Sequence, residues 1–118
     1  MNTVEIHLPT TPDAAPLWSI VQQATDWLRP ILEGSPEPLT ATWEPTRDMQ
    51  SGQQSITLRL AGIGAGHPFS VSGVFKPAQL QNRDFAESAF RVLFLEYLRD
   101  LTHLLFDRAD LTPAGSPG

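Results

Sequence analysis

Apolar and polar residues alternate in four short stretches of the chain, and apolar residues recur at helical spacing in two longer ones. A period of two is typical of β-strands, because successive side chains of a strand point to opposite faces of its sheet. A recurrence every three or four residues is typical of helices that bury one side. The alternating stretches cover residues 4–8, 39–43, 56–60 and 69–76, and the helical patterns cover about 11–33 and 84–108.

The order of these elements, β-α-β-β-β-α, predicts an α+β fold. We expect an antiparallel sheet of three strands, to which residues 4–8 add a possible fourth, with two helices packed on one face. A polar loop is expected from Arg47 to Gln54, and the glycine-rich segment 62–68 is expected to be a hairpin loop. The chain of 118 residues fits one domain, so we expect residues 1–110 to form it and residues 111–118 to be a flexible C-terminal tail.

Prolines and polar residues mark the expected ends of the two helices. Pro12 and Pro16 fall near the start of the first helix, where backbone N–H groups have no intrahelical partner, whereas Pro30 is expected to weaken its last turn. The last helix is expected to begin at Asp84, whose spacing to Glu87 is that of a capping box.

Composition and charge narrow the functional classes. The chain has no cysteine, which excludes disulfides, thiolate nucleophiles and cysteine-based zinc sites. Its net charge of −5, with Lys76 as the only lysine, disfavours binding to nucleic-acid phosphates. Its first residues lack the pattern of a signal peptide, and no apolar run approaches the roughly 20 residues that span a bilayer. We therefore expect a soluble, cytoplasmic protein that does not bind membranes.

Two motifs with catalytic associations lack the context that their chemistry needs. The segment Gly62-Ile63-Gly64-Ala65-Gly66-His67 has the glycine content of a phosphate-binding loop, but a strand rather than a helix follows it and no Lys-Ser/Thr pair is present. His7, His67 and His103 are widely separated, and no Gly-x-Ser-x-Gly elbow accompanies them. Neither a nucleotide site nor a nucleophilic triad is predicted.

One polar constellation on the last helix could ligate a metal ion. Glu96, Asp100, His103 and Asp107 follow one another at steps of four, three and four residues, which places them along one side of the helix. Carboxylates and imidazoles at this spacing can bind a divalent metal when other helices supply further ligands. The first helix offers only Asp26 and Glu33, so we interpret the stripe as a solvated acidic face and expect no cofactor.

The last helix is apolar on two sides. One broad stripe is suited to cover the sheet, but Phe85, Val92, Leu95 and Phe106 project to the opposite side. The first helix, the loops or another chain could cover these four side chains. Trp18 projects away from the apolar stripe of the first helix and is expected to be exposed, which adds an aromatic side chain of the kind enriched in interfaces.

The sequence therefore favours a small, non-catalytic protein-interaction or adaptor module whose partner is a protein. Self-association into a homodimer through Phe85, Val92, Leu95 and Phe106 is the simplest form, because symmetric dimers are the commonest oligomers. The alternative is a small-ligand or metal-dependent enzyme that uses Glu96, Asp100, His103 and Asp107. A nucleic-acid-binding dimer is the third hypothesis, and the net charge disfavours it.

Overall fold

A computed structural model describes the backbone of residues 2–47 and 54–110 and the side chains of residues 2–46 and 55–106. The elements in chain order are β1 (Thr3–Ile6), a 3-10 turn (Pro12–Ala14), α1 (Ala15–Leu32), β2 (Thr40–Arg47), β3 (Gln54–Gly64), β4 (His67–Phe75), α2 (Pro77–Gln81) and α3 (Arg83–Asp110). The middle of the expected polar loop, residues 48–53, and the expected tail, residues 111–118, lie outside the described residues. None of the described helices is long and apolar enough to cross a membrane.

The fold is α+β as predicted, but the sheet is mixed rather than purely antiparallel. Four strands lie in the order β1-β2-β3-β4, and β1 joins as the fourth strand by pairing parallel with β2. The other neighbouring pairs, β2 with β3 and β3 with β4, are antiparallel. A parallel neighbour requires the chain to cross back over the sheet, and α1 makes that crossing between β1 and β2.

The hairpin between β3 and β4 is tighter than expected. The pairing of these strands continues to Gly64 and His67, so Ala65 and Gly66 alone form the turn rather than the whole segment 62–68. Both turn residues have positive φ, 53° at Ala65 and 83° at Gly66. Two positive φ angles are the mark of a type I′ turn, whose twist matches that of the flanking strands.

Two predictions about the helices are corrected near the start of α3: the number of helices and the residue that caps the last one. Residues 77–81 form a separate short helix, α2, with Pro77 in its first turn. The α3 helix then begins at Arg83, and the side-chain oxygen of Asn82 accepts a hydrogen bond from the Phe85 backbone N–H at 3.2 Å. Asn82 therefore caps α3 in place of the expected Asp84, because its oxygen reaches a free N–H group of the first turn.

The hydrophobic core lies between the helices and one face of the sheet. Trp43 of β2 is fully buried there, and its ring meets that of Phe90 of α3 edge to face at 6.0 Å between centroids. The Trp43 indole N–H donates to the Thr25 hydroxyl at 3.0 Å, and that hydroxyl donates to the Val21 carbonyl at 2.8 Å. The indole of Trp43 and the hydroxyl of Thr25 are thus satisfied within the core. The α3 helix packs against β3 and β4.

Candidate functional site

The inner face of α3 is consumed by the core. Most of the main apolar stripe is buried as predicted, namely Ala86, Phe90, Leu93, Phe94, Tyr97 and Leu101. Its C-terminal end is not, because Leu104 is half-buried and Leu105 is 41% exposed. The buried positions recur every three or four residues along α3, so one continuous side of the helix rests on the sheet. Any function of α3 beyond packing must use its other side.

The opposite side of α3 presents large apolar side chains to solvent. Phe85 is 44% exposed, Val92 59%, Leu95 63% and Phe106 63%. A surface helix of a small domain ordinarily carries charged and polar residues at such positions. The four residues named from the sequence therefore form the candidate site, and their exposure is its defining property.

These four side chains belong to a longer regular series that sequence reasoning did not identify. Steps of three and four residues alternate without interruption along α3, and every member of the series is exposed. We call this series the outer strip; it comprises Phe85, Ser88, Val92, Leu95, Arg99, Thr102 and Phe106. The signal available in the sequence was the recurrence of large apolar residues within this series, because steps of three and four residues keep them on one side of a helix.

Neighbouring elements approach α3 from the side and leave the outer strip uncovered. The Arg83 guanidinium lies 5.8 Å from the centre of the Trp27 ring of α1, and a Cβ added at Gly34 would lie 3.5 Å from the Phe94 ring. Arg83 and Phe94 are not members of the outer strip, so α1 contacts a different side of α3. Within the part of the chain whose side chains are described, neither α1 nor a loop buries the apolar members of the strip.

Trp18 does not match the exposure expected from the sequence. Its side chain is half-buried, and its indole N–H donates to the Pro9 carbonyl at 2.8 Å. The ring packs against the hydrophobic core, and the hydrogen bond joins Pro9 to α1, which the helical wheel of α1 alone could not reveal. Trp18 also lies on a different helix from the outer strip.

The described part of the acidic stripe of α3 does not bring together a set of metal ligands. Glu96, Asp100 and His103 are described, whereas the side chain of Asp107 lies outside the described residues. The Asp100 carboxylate lies 3.6 Å from the Nε of Arg99. Among the side chains that the structure describes, no group of three His, Asp or Glu residues is placed to hold a metal ion.

An open depression of about 840 Å³ lies across β2, β3 and the β3–β4 turn. Its charged lining residues are Glu37 and Arg59, and Arg59 already donates to the Glu44 carboxylate at 2.9 Å. Catalysis by proton transfer needs a positioned acid or base beside a nucleophile or substrate. The described lining offers one ion-paired arginine and one carboxylate, which gives little basis for an active site.

Tyr97 has the one resolved pKa shift among the described residues, and it belongs to the core. Burial raises the pKa of its hydroxyl above 10.0, the Ser35 side chain opposes the shift, and the negative charge of Glu37 adds to it. No well-formed hydrogen bond to the buried hydroxyl is found in the described part of the structure. The shift favours the protonated form of the hydroxyl.

Comparison with protein-family models, with curated proteins and with solved structures gives no match to this chain. The geometry of α3 alone therefore defines the candidate site.

Proposed function

We propose that the protein is a small, non-catalytic interaction module that self-associates through the outer strip of α3. The observation that carries this proposal is the exposure of Phe85, Val92, Leu95 and Phe106 on a helix whose opposite face is already buried. Large apolar side chains clustered on the solvent side of a surface helix are typical of an interaction site. The missing cover is supplied by a second protein chain.

The expected gain from covering the strip is comparable in size with the cost of association. Burying one large apolar side chain contributes about 1.5–3 kcal/mol relative to leaving it in water. Four such side chains on each copy offset a substantial part of the cost of association, which is about 4–15 kcal/mol. A second copy of the same chain presents the same strip, and isologous pairing of identical patches gives the commonest oligomer, a twofold dimer.

The net charge of the chain favours a protein over nucleic acid or an anionic lipid surface as the partner. A net charge of −5 repels nucleic-acid phosphates and anionic lipid surfaces, while it leaves contact between apolar strips possible. We propose a cytoplasmic homodimer that requires no cofactor. The competing hypothesis of a metal-dependent enzyme rests on Glu96, Asp100, His103 and Asp107, which all belong to the single helix α3.

The proposal is tested by placing a charge in the middle of the outer strip. Leu95→Glu should convert the dimer to a monomer in light scattering while the helical circular dichroism is kept, because Leu95 is 63% exposed and contributes little to the core.

Ile63→Glu is the matched control, since Ile63 is an aliphatic residue of similar size and 60% exposure that lies on β3. It should leave the dimer intact. A monomeric wild-type protein at all accessible concentrations, or a Leu95→Glu protein that stays dimeric, would show that the outer strip is not the interface.

A further inference from the structure

We propose that the two α3 helices of the dimer run parallel, with Arg91 of each copy facing Glu96 of the other. This inference rests on the proposed self-association and adds its orientation and its charge pairing. Two oppositely charged residues flank the outer strip at its centre.

The outer strip follows one side of α3 along its length, with apolar side chains at four of its seven positions and polar ones at Ser88, Arg99 and Thr102. Its steps of three and four residues repeat over Phe85 to Phe106, which corresponds to a seven-residue repeat. A strict repeat of seven keeps the same side of a helix toward a neighbour when the two helices coil gently around each other. Arg91 precedes Val92 on one flank of the strip, and Glu96 follows Leu95 on the other.

Arg91 and Glu96 have no ion-pair partner among the described side chains. Both are exposed, and neither takes part in a salt bridge within 4.0 Å there. Arg91 and Glu96 of the same helix cannot pair with each other, because their separation of five residues corresponds to a rise of about 7.5 Å and a rotation of about 140°. Two opposite charges on opposite flanks of one apolar strip thus remain available to a partner.

The parallel arrangement brings these two charges together. In a parallel pair, one flank of each helix faces the opposite flank of the other helix. A residue on the first flank then contacts the residue that lies five positions later in the sequence of the partner helix. Arg91 of one copy then faces Glu96 of the second copy, and the twofold axis creates the same pair again.

An antiparallel arrangement brings like flanks together instead. Arg91 would then lie near Arg91 or Leu98 of the other copy, and Glu96 would lie near Glu96 or Ala89. Such a register leaves the two charges without opposite partners or sets like charges side by side, which is unfavourable. Asp84 and His103 lie on the same flanks as Arg91 and Glu96, but they face them only in registers with a shortened overlap. The contacts of Arg91 and Glu96 therefore favour the parallel orientation.

Arg99 is the one charged member of the outer strip, and it bears on the register. Two Arg99 side chains would lie near each other in a parallel pair, but each guanidinium nitrogen Nε is 3.6 Å from the Asp100 carboxylate of its own helix. The neighbouring carboxylate reduces the repulsion, and the Arg99 side chain is 66% exposed, so its charged end can stay in water. A polar residue at one such position lowers stability but fixes which register the helices adopt.

The absence of cysteine from the sequence gives a direct test of orientation. Ser88→Cys and Thr102→Cys each place one thiol on the strip at an exposed position. In the parallel dimer both single variants should form a disulfide-linked dimer under mild oxidation. In an antiparallel dimer at most one of them can, because a register that brings residue 88 next to its own copy separates the two residues 102 by about 42 Å.

Charge exchange tests the pairing itself. Arg91→Glu and Glu96→Arg should each weaken dimerisation about four- to thirtyfold, since each variant replaces two attractive contacts by two repulsive ones. The double variant Arg91→Glu/Glu96→Arg should restore the wild-type dissociation constant, and an equimolar mixture of the two single variants should form heterodimers.

The outcomes separate this inference from the proposed function. A wild-type protein that is monomeric in sedimentation overturns both. A dimer that Leu95→Glu disrupts, but whose cysteine variants do not both cross-link or whose charge exchange gives no recovery, overturns the parallel orientation alone. Circular dichroism of each variant verifies that α3 is retained, because Ser88, Arg91, Glu96 and Thr102 are exposed and lie outside the core.

Discussion

Tyr97 shows how one side chain of α3 determines which residue the sheet can carry beneath it. Its ring stacks with that of Phe69 at 5.0 Å and with that of Phe94 at 6.0 Å between centroids, and it is fully buried. A Cβ placed at Gly62 of β3 would overlap the Tyr97 hydroxyl. Glycine at position 62 is therefore explained by close approach of α3 to the sheet.

Gly62→Ala should lower the free energy of unfolding by about 1–3 kcal/mol, because the new methyl group forces the packed Tyr97 ring to move. Tyr97→Phe alone should be nearly neutral, since the hydroxyl it removes is buried without a good hydrogen bond. Gly62→Ala should cost clearly less in the Tyr97→Phe background than in the wild type, as measured by a double-mutant cycle in chemical denaturation. An equal cost in both backgrounds would contradict the contact.

Two glycines of β3, Gly62 and Gly64, could not be placed from the sequence alone. The strands were predicted from alternation, and the inner face of α3 from helical spacing, because burial on one face leaves its period in the sequence. Gly62 and Gly64 read as loop residues, since glycine has poor strand propensity, yet both lie in β3 under Tyr97, Leu101 and Leu104. Their place in the sheet depends on contacts with a helix more than 30 residues away in the sequence, which no local pattern records.

At the scale of elements, local sequence patterns could predict neither the parallel pairing of β1 nor the separate helix α2. Alternation in residues 4–8 predicts a strand but contains no information on its neighbour, which the crossing by α1 decides. Asn2 then secures that neighbour, since its side chain donates to the Leu32 carbonyl at 2.7 Å and accepts from the Leu39 N–H at 3.2 Å. The candidate site was more accessible, because the four exposed apolar residues and the main stripe occupy opposite sides of one long helix.

The β3–β4 hairpin offers a test of turn chemistry. Ala65 adopts φ 53°, which is unfavourable for a residue with a Cβ and is tolerated better by asparagine. Ala65→Asn should therefore stabilise the protein by about 0.5–1 kcal/mol, because Asn-Gly is the preferred pair in a type I′ turn. The measurement is the midpoint of thermal unfolding.

Gly66→Ala is the matched comparison for that variant. Gly66 has φ 83°, and no atom lies within 4 Å of an added Cβ, so only the backbone conformation opposes alanine there. Gly66→Ala should therefore destabilise the protein. A loss of stability in Ala65→Asn would show that the turn is not of type I′ in solution.

At the scale of the whole molecule, α3 serves two surfaces at once. Its inner face completes the core through Phe90, Tyr97 and Leu101, and its outer strip is proposed to complete a dimer. Because the same helix carries both, assembly and folding are thermodynamically linked: a partner that binds only the folded chain stabilises it. A domain of this size has a modest core of its own, so the added stability is a sizeable fraction of the total.

The thermal midpoint of the wild-type protein should therefore rise with protein concentration. For a dimer that unfolds to two separate chains, a hundredfold increase in concentration adds about 2.7 kcal/mol to the free energy of unfolding of each dimer. Shared between two chains of this length, this corresponds to a rise in the midpoint of about 5 °C. Leu95→Glu should show a midpoint that does not change with concentration, whereas Ile63→Glu should keep the wild-type slope even if its midpoint is lower. A concentration-independent midpoint in the wild type, measured by differential scanning calorimetry over that range, would mean that the exposed apolar side of α3 does not take part in self-association.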